Sequence, residues 1–233
     1  MDTRWLELGL LYGVFPVVFA IVVHRHGYRG AMAPLLWLIT LAIGLLLRLD
    51  PAFEWGRLSA VPLDHPYVSA MLRRFVWLGA GLLALGRWLT PQGFLWLPRK
   101  RPLLWFGLFA GYTLLSAVPQ GIIWRVFFVY RYASLFPDRL TLLAAGAAAF
   151  SLAHLAFWNW TAIAVTGVGG ALFLSTYLNT GSMWLAALEH GAYGMIAFSS
   201  GIGVFLYRGA IRPQLPPAEP SPPVPTADSS GAS

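Results

Sequence analysis

The 233-residue chain is 58% hydrophobic and only 11% charged, with a mean hydropathy of +0.64, whereas a soluble domain carries about 25% charged residues. That excludes a soluble globular domain. Its net charge of +7 is spread through the connections, which suits orientation and contact with membrane lipids and their anionic headgroups and argues against nucleic acid as a partner; with no cysteine, disulfides and thiolate metal sites are excluded.

The expected fold class is all-α, a polytopic transmembrane helix bundle of about eight helices at about 20 residues each. Trp5 to Val23 is the first span, and no small-residue cleavage site follows it before His24, Arg25 and His26, so it is read as a retained helix. That cluster has the residue types of a metal site, but a solvated turn facing the headgroups accounts for it too. Ala31 to Leu47 is the second span. Arg48 to Arg74 is the longest hydrophilic connection, an interfacial loop with a short amphipathic piece, in which Asp50, Glu54, Asp64 and four arginines mix with Trp55 and prolines. Phe75 to Leu89 forms the third span, with Arg87 placed to snorkel from its end. The basic knot Arg99-Lys100-Arg101 precedes the fourth, Leu103 to Val118.

Proline is tolerated at a first helical position, because the N–H it lacks would be unpaired there anyway, so Pro119 is taken to start the fifth helix, which runs to about Ser134. Leu140 to Trp158 is the sixth, Ala162 to Leu178 the seventh and Met183 to Tyr207 the eighth. Small residues at Ala144 to Ala149 and at Gly167, Gly169 and Gly170 let backbones approach closely, which marks helices six and seven as central. One transmembrane domain spans 1–211, and the proline-rich tail 212–233 is expected to be disordered. Lys and Arg divide as seven against eight on the two sides of such a bundle, so charge does not orient it.

The ionisable groups deep in apolar runs are Arg125, His154, Glu189 and His190. A guanidinium inside a membrane helix needs a polar partner or a wet cavity, and Glu189 is the leading candidate to meet Arg125, with Gln120 or a backbone carbonyl as the fallback. Three patterns hold these residues. Helix five reads Gln120-Gly121-(x3)-Arg125, helix six reads Phe150-(x3)-His154 followed by Asn159, and helix eight reads Glu189-His190-(x3)-Gly194. Within each pattern the residues four apart share a helix face. Helices five, six and eight are therefore expected to face one another. Two histidines and an arginine so assembled can bind a divalent metal through His154 and His190, activate a water and stabilise an oxyanion, or merely tie helices together by hydrogen bonds of about 0.6 to 2 kcal/mol each.

In order and spacing these patterns resemble the CPBP family of intramembrane proteases, the CAAX-protease and bacteriocin-processing group that includes the type II CAAX prenyl endopeptidases. The resemblance covers roughly 103–207, including the run GGALFLSTYLNTGSMWLAALEH into the last histidine. The family motifs are Glu-Glu-x-x-x-Arg, Phe-x-x-x-His and His-x-x-x-Asn. The resemblance implies that His154 is the water-activating histidine, His190 the oxyanion histidine and Arg125 the motif arginine; metal dependence is also proposed for the family. It further implies a multi-pass protein of a bacterial inner membrane, acting on a membrane-associated peptide or protein substrate.

The motif's two glutamate positions hold Gln120 and Gly121, and its asparagine position holds Gly194. Glutamine cannot take a proton from water at neutral pH, and glycine has no side chain, so the general-base step, typically worth about 10² to 10⁴ in rate, lacks its carboxylate. Glu189 stands as a displaced base if it reaches the water at His154. The expectation is a catalytically impaired relative of the endopeptidases; the alternative is a non-catalytic binding, immunity or assembly factor on the same fold. Small-molecule transport has little support, because no pair of interrupted helices marks a midplane site.

Overall fold

Pro119 has no N–H to give to the carbonyl of Leu115, and the indole Nε1 of Trp37 donates to that carbonyl instead, at 3.0 Å. Just before the proline, Thr113–Ala117 widens into a π turn, one way a helix absorbs such a break. In this computed structural model, which describes residues 2–27, 30 and 32–203, the expected fourth and fifth spans are consequently one helix of 34 residues, Pro102–Leu135. The proline is therefore interior, not initial.

Among the described residues there are no strands, and 85% of the structure is helical. Six helices are long and apolar enough to cross a membrane: α1 (Thr3–His26), α2 (Met32–Leu49), α3 (Pro66–Leu89), α4 (Pro102–Leu135), α5 (Arg139–Phe157) and α6 (Trp160–Thr180). A seventh, α7 (Met183–Ser200), packs inside the bundle. Among the described residues the expected count of eight long helices becomes seven because the two spans around Pro119 fuse. Helix α7 stops where Gly201 turns left-handed at φ +86°, and the expected continuation over 204–207, like the tail 212–233, lies outside the described residues.

The third span also differs from expectation. His65 caps its start by accepting from the Tyr67 N–H at 3.1 Å, and Pro66 takes the first turn. The helix thus begins nine residues earlier than the apolar run, and Arg73 and Arg74, expected in the connection, belong to it. Between Leu49 and Pro66 the connection keeps one short helical piece, Gly56–Ser59.

Helices α5 and α6 form an antiparallel pair with side-chain caps, Asp138 accepting from Thr141 N at 2.8 Å and Asn159 from Ala162 N at 2.7 Å. Asn159, which follows the second motif, thus has a capping role. The pair packs tightly at Gly170, where an added Cβ would come within 3.1 Å of Phe150 Cβ and 3.2 Å of Ala147 Cα. The most enclosed element, however, is α7, with twelve of its eighteen residues buried. It packs against α3, α4 and α6. Centrality follows from that threefold packing and not from small-residue content alone.

Candidate functional site

Helix α5 ends its regular turns at Ala153, and His154 follows at φ −88° and ψ 0°, starting a tighter 3₁₀ turn to Phe157. Its Nδ1 lies 2.8 Å from the Phe150 carbonyl oxygen, a geometry in which Nδ1–H donates and Nε2 is left as the acceptor nitrogen. The imidazole is held between Phe150, at 4.6 Å between ring centroids, and Phe157, at 5.7 Å. Near the middle of α7, His190 stacks on Phe173 at 4.6 Å with planes 19° apart, and meets the edge of Phe150 at 5.6 Å. Phe150 touches both imidazoles, so they lie close together around one phenyl ring.

Both histidines line a cavity of about 90 Å³ that also receives Tyr112, Ser116 and Gln120 from α4 and Tyr193 from α7. The helices carrying the three motifs do converge. Among the described residues, no Asp or Glu lines this cavity. Gln120 stands at the first glutamate position of the motif and donates from Nε2 to Ser116 Oγ at 2.7 Å, while its Oε1 is buried without a hydrogen-bond partner.

At the other departures the backbone shows what the glycines admit. A Cβ built on Gly194 would collide with the Tyr112 ring, and one on Gly191 would collide with the Thr113 hydroxyl. The two glycines therefore form a notch in α7 that takes in side chains from α4. Tyr112 fills the place of the motif asparagine, and its hydroxyl lies 3.1 Å from His190 Nε2. Gly121 is different: a Cβ there would make ordinary contacts at 3.6 Å with Arg125 Nη1 and Met183 Sδ. A Cβ is thus accommodated where the motif has its second glutamate, packed against Arg125 and Met183.

The expected pairing of Arg125 with Glu189 is not formed. Glu189 Oε1 accepts from Arg74 Nε at 3.0 Å and Nη2 at 2.8 Å, and its Oε2 accepts from the Thr176 hydroxyl at 2.5 Å. Arg74 also donates to the Leu172 carbonyl at 3.0 Å and to the hydroxyls of Tyr67 and Thr176. The reason lies in the start of α3: a helix begun at Phe75 would leave Arg74 in the connection, whereas one begun at Pro66 puts it inside the bundle, opposite α7. Tyr67 and Arg74, seven residues apart, share one face of that helix, the one signal that the sequence offered for this pair.

Arg125 is only 1% exposed, and among the described residues neither Nη1 nor Nη2 has a hydrogen-bond partner; Gln120 and backbone carbonyls do not supply one. Its guanidinium lies 5.1 Å from the centroids of both Phe150 and Phe173. Two cation–π contacts return about 0.5 to 2 kcal/mol each. They leave the N–H donors unanswered.

A divalent metal does not fit these residues. Among the described residues no group of three or more His, Cys, Asp or Glu could hold one, so His154 and His190 lack the further donor that a protein zinc site uses. At the first histidine cluster, His24 stacks on Trp158 at 4.3 Å from an exposed position. Tyr112, Ser116, Thr176 and Arg74 were the site residues that the motifs did not point to.

No curated protein and no solved structure matches the chain in the comparisons made. A family model does match, that of the type II CAAX prenyl endopeptidase Rce1-like proteins, over residues 102–196, from the first residue of α4 to the body of α7. The segment that carries all three motifs, and folds them around one cavity, is thus the part of the chain that is similar to the Rce1-like family of CAAX-type membrane proteases.

Proposed function

We propose that the chain is a catalytically impaired member of this family, a multi-pass protein of a bacterial inner membrane that uses the cavity to bind a membrane-associated peptide or lipid. The observation that carries this reading is the cavity wall: among the described residues, His154 and His190 are there and no carboxylate is. His154 keeps an acceptor nitrogen and His190 keeps its place beside it, but neither has an acid partner to take up a proton from water. Glu189 does not serve, because Arg74 and Thr176 occupy both its oxygens. With the motif carboxylates absent, the pocket retains binding walls and hydrogen-bonding groups but no carboxylate to act with His154 as the general base.

The test is proteolysis of a membrane-anchored reporter peptide by the purified chain in proteoliposomes, comparing wild type with Gly121→Glu and with Gly121→Glu/His154→Ala. The expected result is no turnover above background for wild type, turnover for Gly121→Glu, and its loss in the double variant. Turnover by the wild type that disappears on Glu189→Gln would overturn the reading and make Glu189 the base.

A further inference from the structure

We propose that an apolar cleft between α3 and α4, together with the basic connection at its end, binds one anionic phospholipid, its headgroup on Arg99, Lys100 and Arg101 and an acyl chain in the cleft. The cleft shares no lining residue with the histidine cavity, so the proposal goes beyond the function assigned to that cavity and does not depend on it.

Helices α3 and α4 both pack on α7, and between them lies a cleft of about 330 Å³. Phe75 of α3 and Phe106 and Phe109 of α4 line it, as do Ala192 and Ile196, one turn apart on α7. These two are only half-buried, although most of α7 is enclosed. Phe106 is 64% exposed and Phe109 37%, so the cleft is open toward the bilayer. The polar groups in its wall answer one another: Trp105 Nε1 donates to Ser199 Oγ at 2.8 Å, and that hydroxyl donates to the Met195 carbonyl at 2.7 Å. Among the described residues no charged side chain lines it. A cleft so lined takes a hydrocarbon chain.

The kind of lipid is set by what stands at the end of the cleft. Ser199 lies at that end, and its carbonyl accepts from the Leu95 N–H at 2.7 Å, which ties the α3–α4 connection onto the end of α7. In that connection the short helix Trp96–Lys100 carries Arg99 and Lys100 in its last turn. The carbonyl of Arg101 accepts from the Trp105 N–H at 2.9 Å, so Arg101 stands one helical turn, about 5.4 Å, beyond Trp105. All three basic residues are exposed. They share this end of the bundle with Arg25 and Arg87 and, among the described residues, with no Asp or Glu, whereas at the other end Asp2 pairs with Arg4 and Glu7 with Arg131. Unopposed positive charge at the level of the headgroups attracts an anionic one. From Ser199 to Ala192 the cleft follows α7 for about 10 Å, inside the roughly 15 Å of hydrocarbon in one leaflet. One lipid of that leaflet therefore reaches both parts. A neutral lipid would leave the charges unanswered, and a second copy of the chain in the same orientation would bring like charge to the same level.

The test titrates the purified full chain in neutral detergent with dioleoyl phosphatidylglycerol or dioleoyl phosphatidylcholine, which share their acyl chains, and counts bound lipid by native mass spectrometry. The expected result is one phosphatidylglycerol bound roughly tenfold or more tighter than phosphatidylcholine. Arg99→Gln/Lys100→Gln/Arg101→Gln should abolish that preference, and Arg139→Gln, exposed at the opposite end of the bundle, should keep it. Ala192→Phe fills the cleft and should weaken phosphatidylglycerol binding roughly tenfold. Phe106→Ala, which removes an exposed wall, should weaken it several-fold and remains informative should Ala192→Phe fold poorly. Equal binding of the two lipids, a preference that survives the triple substitution or is lost in Arg139→Gln, binding unchanged by Phe106→Ala, or a dimer in place of the lipid adduct would overturn the site. Peptide cleavage, which decides the proposed function, is a separate readout that this measurement does not use.

Discussion

The hydroxyl of Tyr112 lies 3.1 Å from Nε2 of His190, and its ring occupies the volume that any side chain at position 194 would need. A tyrosine on α4 and a glycine on α7 together stand where the family motif has one polar side chain on α7. Tyr112→Phe should therefore cost about 0.5 to 1.5 kcal/mol, the net worth of one hydrogen bond. Gly194→Asn should reduce folded yield in detergent because its side chain meets Tyr112, and adding Tyr112→Ala should restore that yield. Equal yields for Gly194→Asn with and without Tyr112→Ala would show that the two residues do not compete for space.

Removing one partner of a buried pair leaves the other charge uncompensated. Glu189→Gln and Arg74→Met should each destabilise the protein by about 3 to 5 kcal/mol, and together by less than the sum. The comparison with Arg125 separates this pair from the one that the motif order suggested. Glu189→Gln combined with Arg125→Met should be closer to additive, measured by thermal unfolding in detergent.

Arg125 itself should behave unlike Arg74. Among the described residues its guanidinium has no hydrogen-bond partner at either Nη, so replacing it by methionine removes a buried cost along with the two aromatic contacts. Arg125→Met should be neutral or stabilising in the absence of ligand, as found when buried charges give way to apolar residues of similar volume. Gly121→Glu should raise thermal stability by pairing with the guanidinium, and Arg125→Met in that background should abolish the gain.

Outside the spans, Asp138 caps α5, and its carboxylate is held below the ordinary aspartate range by the backbone N–H of Thr141, whose hydrogen bond it accepts. A depressed folded pKa stabilises the fold above the unfolded pKa, and that contribution is lost as pH falls through the folded value. The difference in stability between wild type and Asp138→Asn should therefore be full at neutral pH, begin to shrink as pH falls past about 4, and vanish at lower pH. Thermal unfolding of both proteins across that range measures it; a difference that grows on acidification would reverse the assignment.

The composition and residue spacing sufficed for the membrane class, the all-α fold and the residues that share a face within each motif, because these depend on local quantities: apolar run length and residues four apart on one face. What the sequence could not settle were the relationships made between helices. Whether Pro119 begins a helix or lies within one turned on Trp37, 82 residues earlier in the chain, answering the Leu115 carbonyl. Which arginine takes Glu189 turned on a cap at His65 that extends α3 and carries Arg74 into the bundle, leaving Arg125 between two phenyl rings. Partner choice inside a bundle is set by helix phase and by what space each neighbour leaves, and a glycine such as Gly194 records only that something fits there. That the something is Tyr112, eighty-two positions away, was decided by the packing of α4 into the notch on α7.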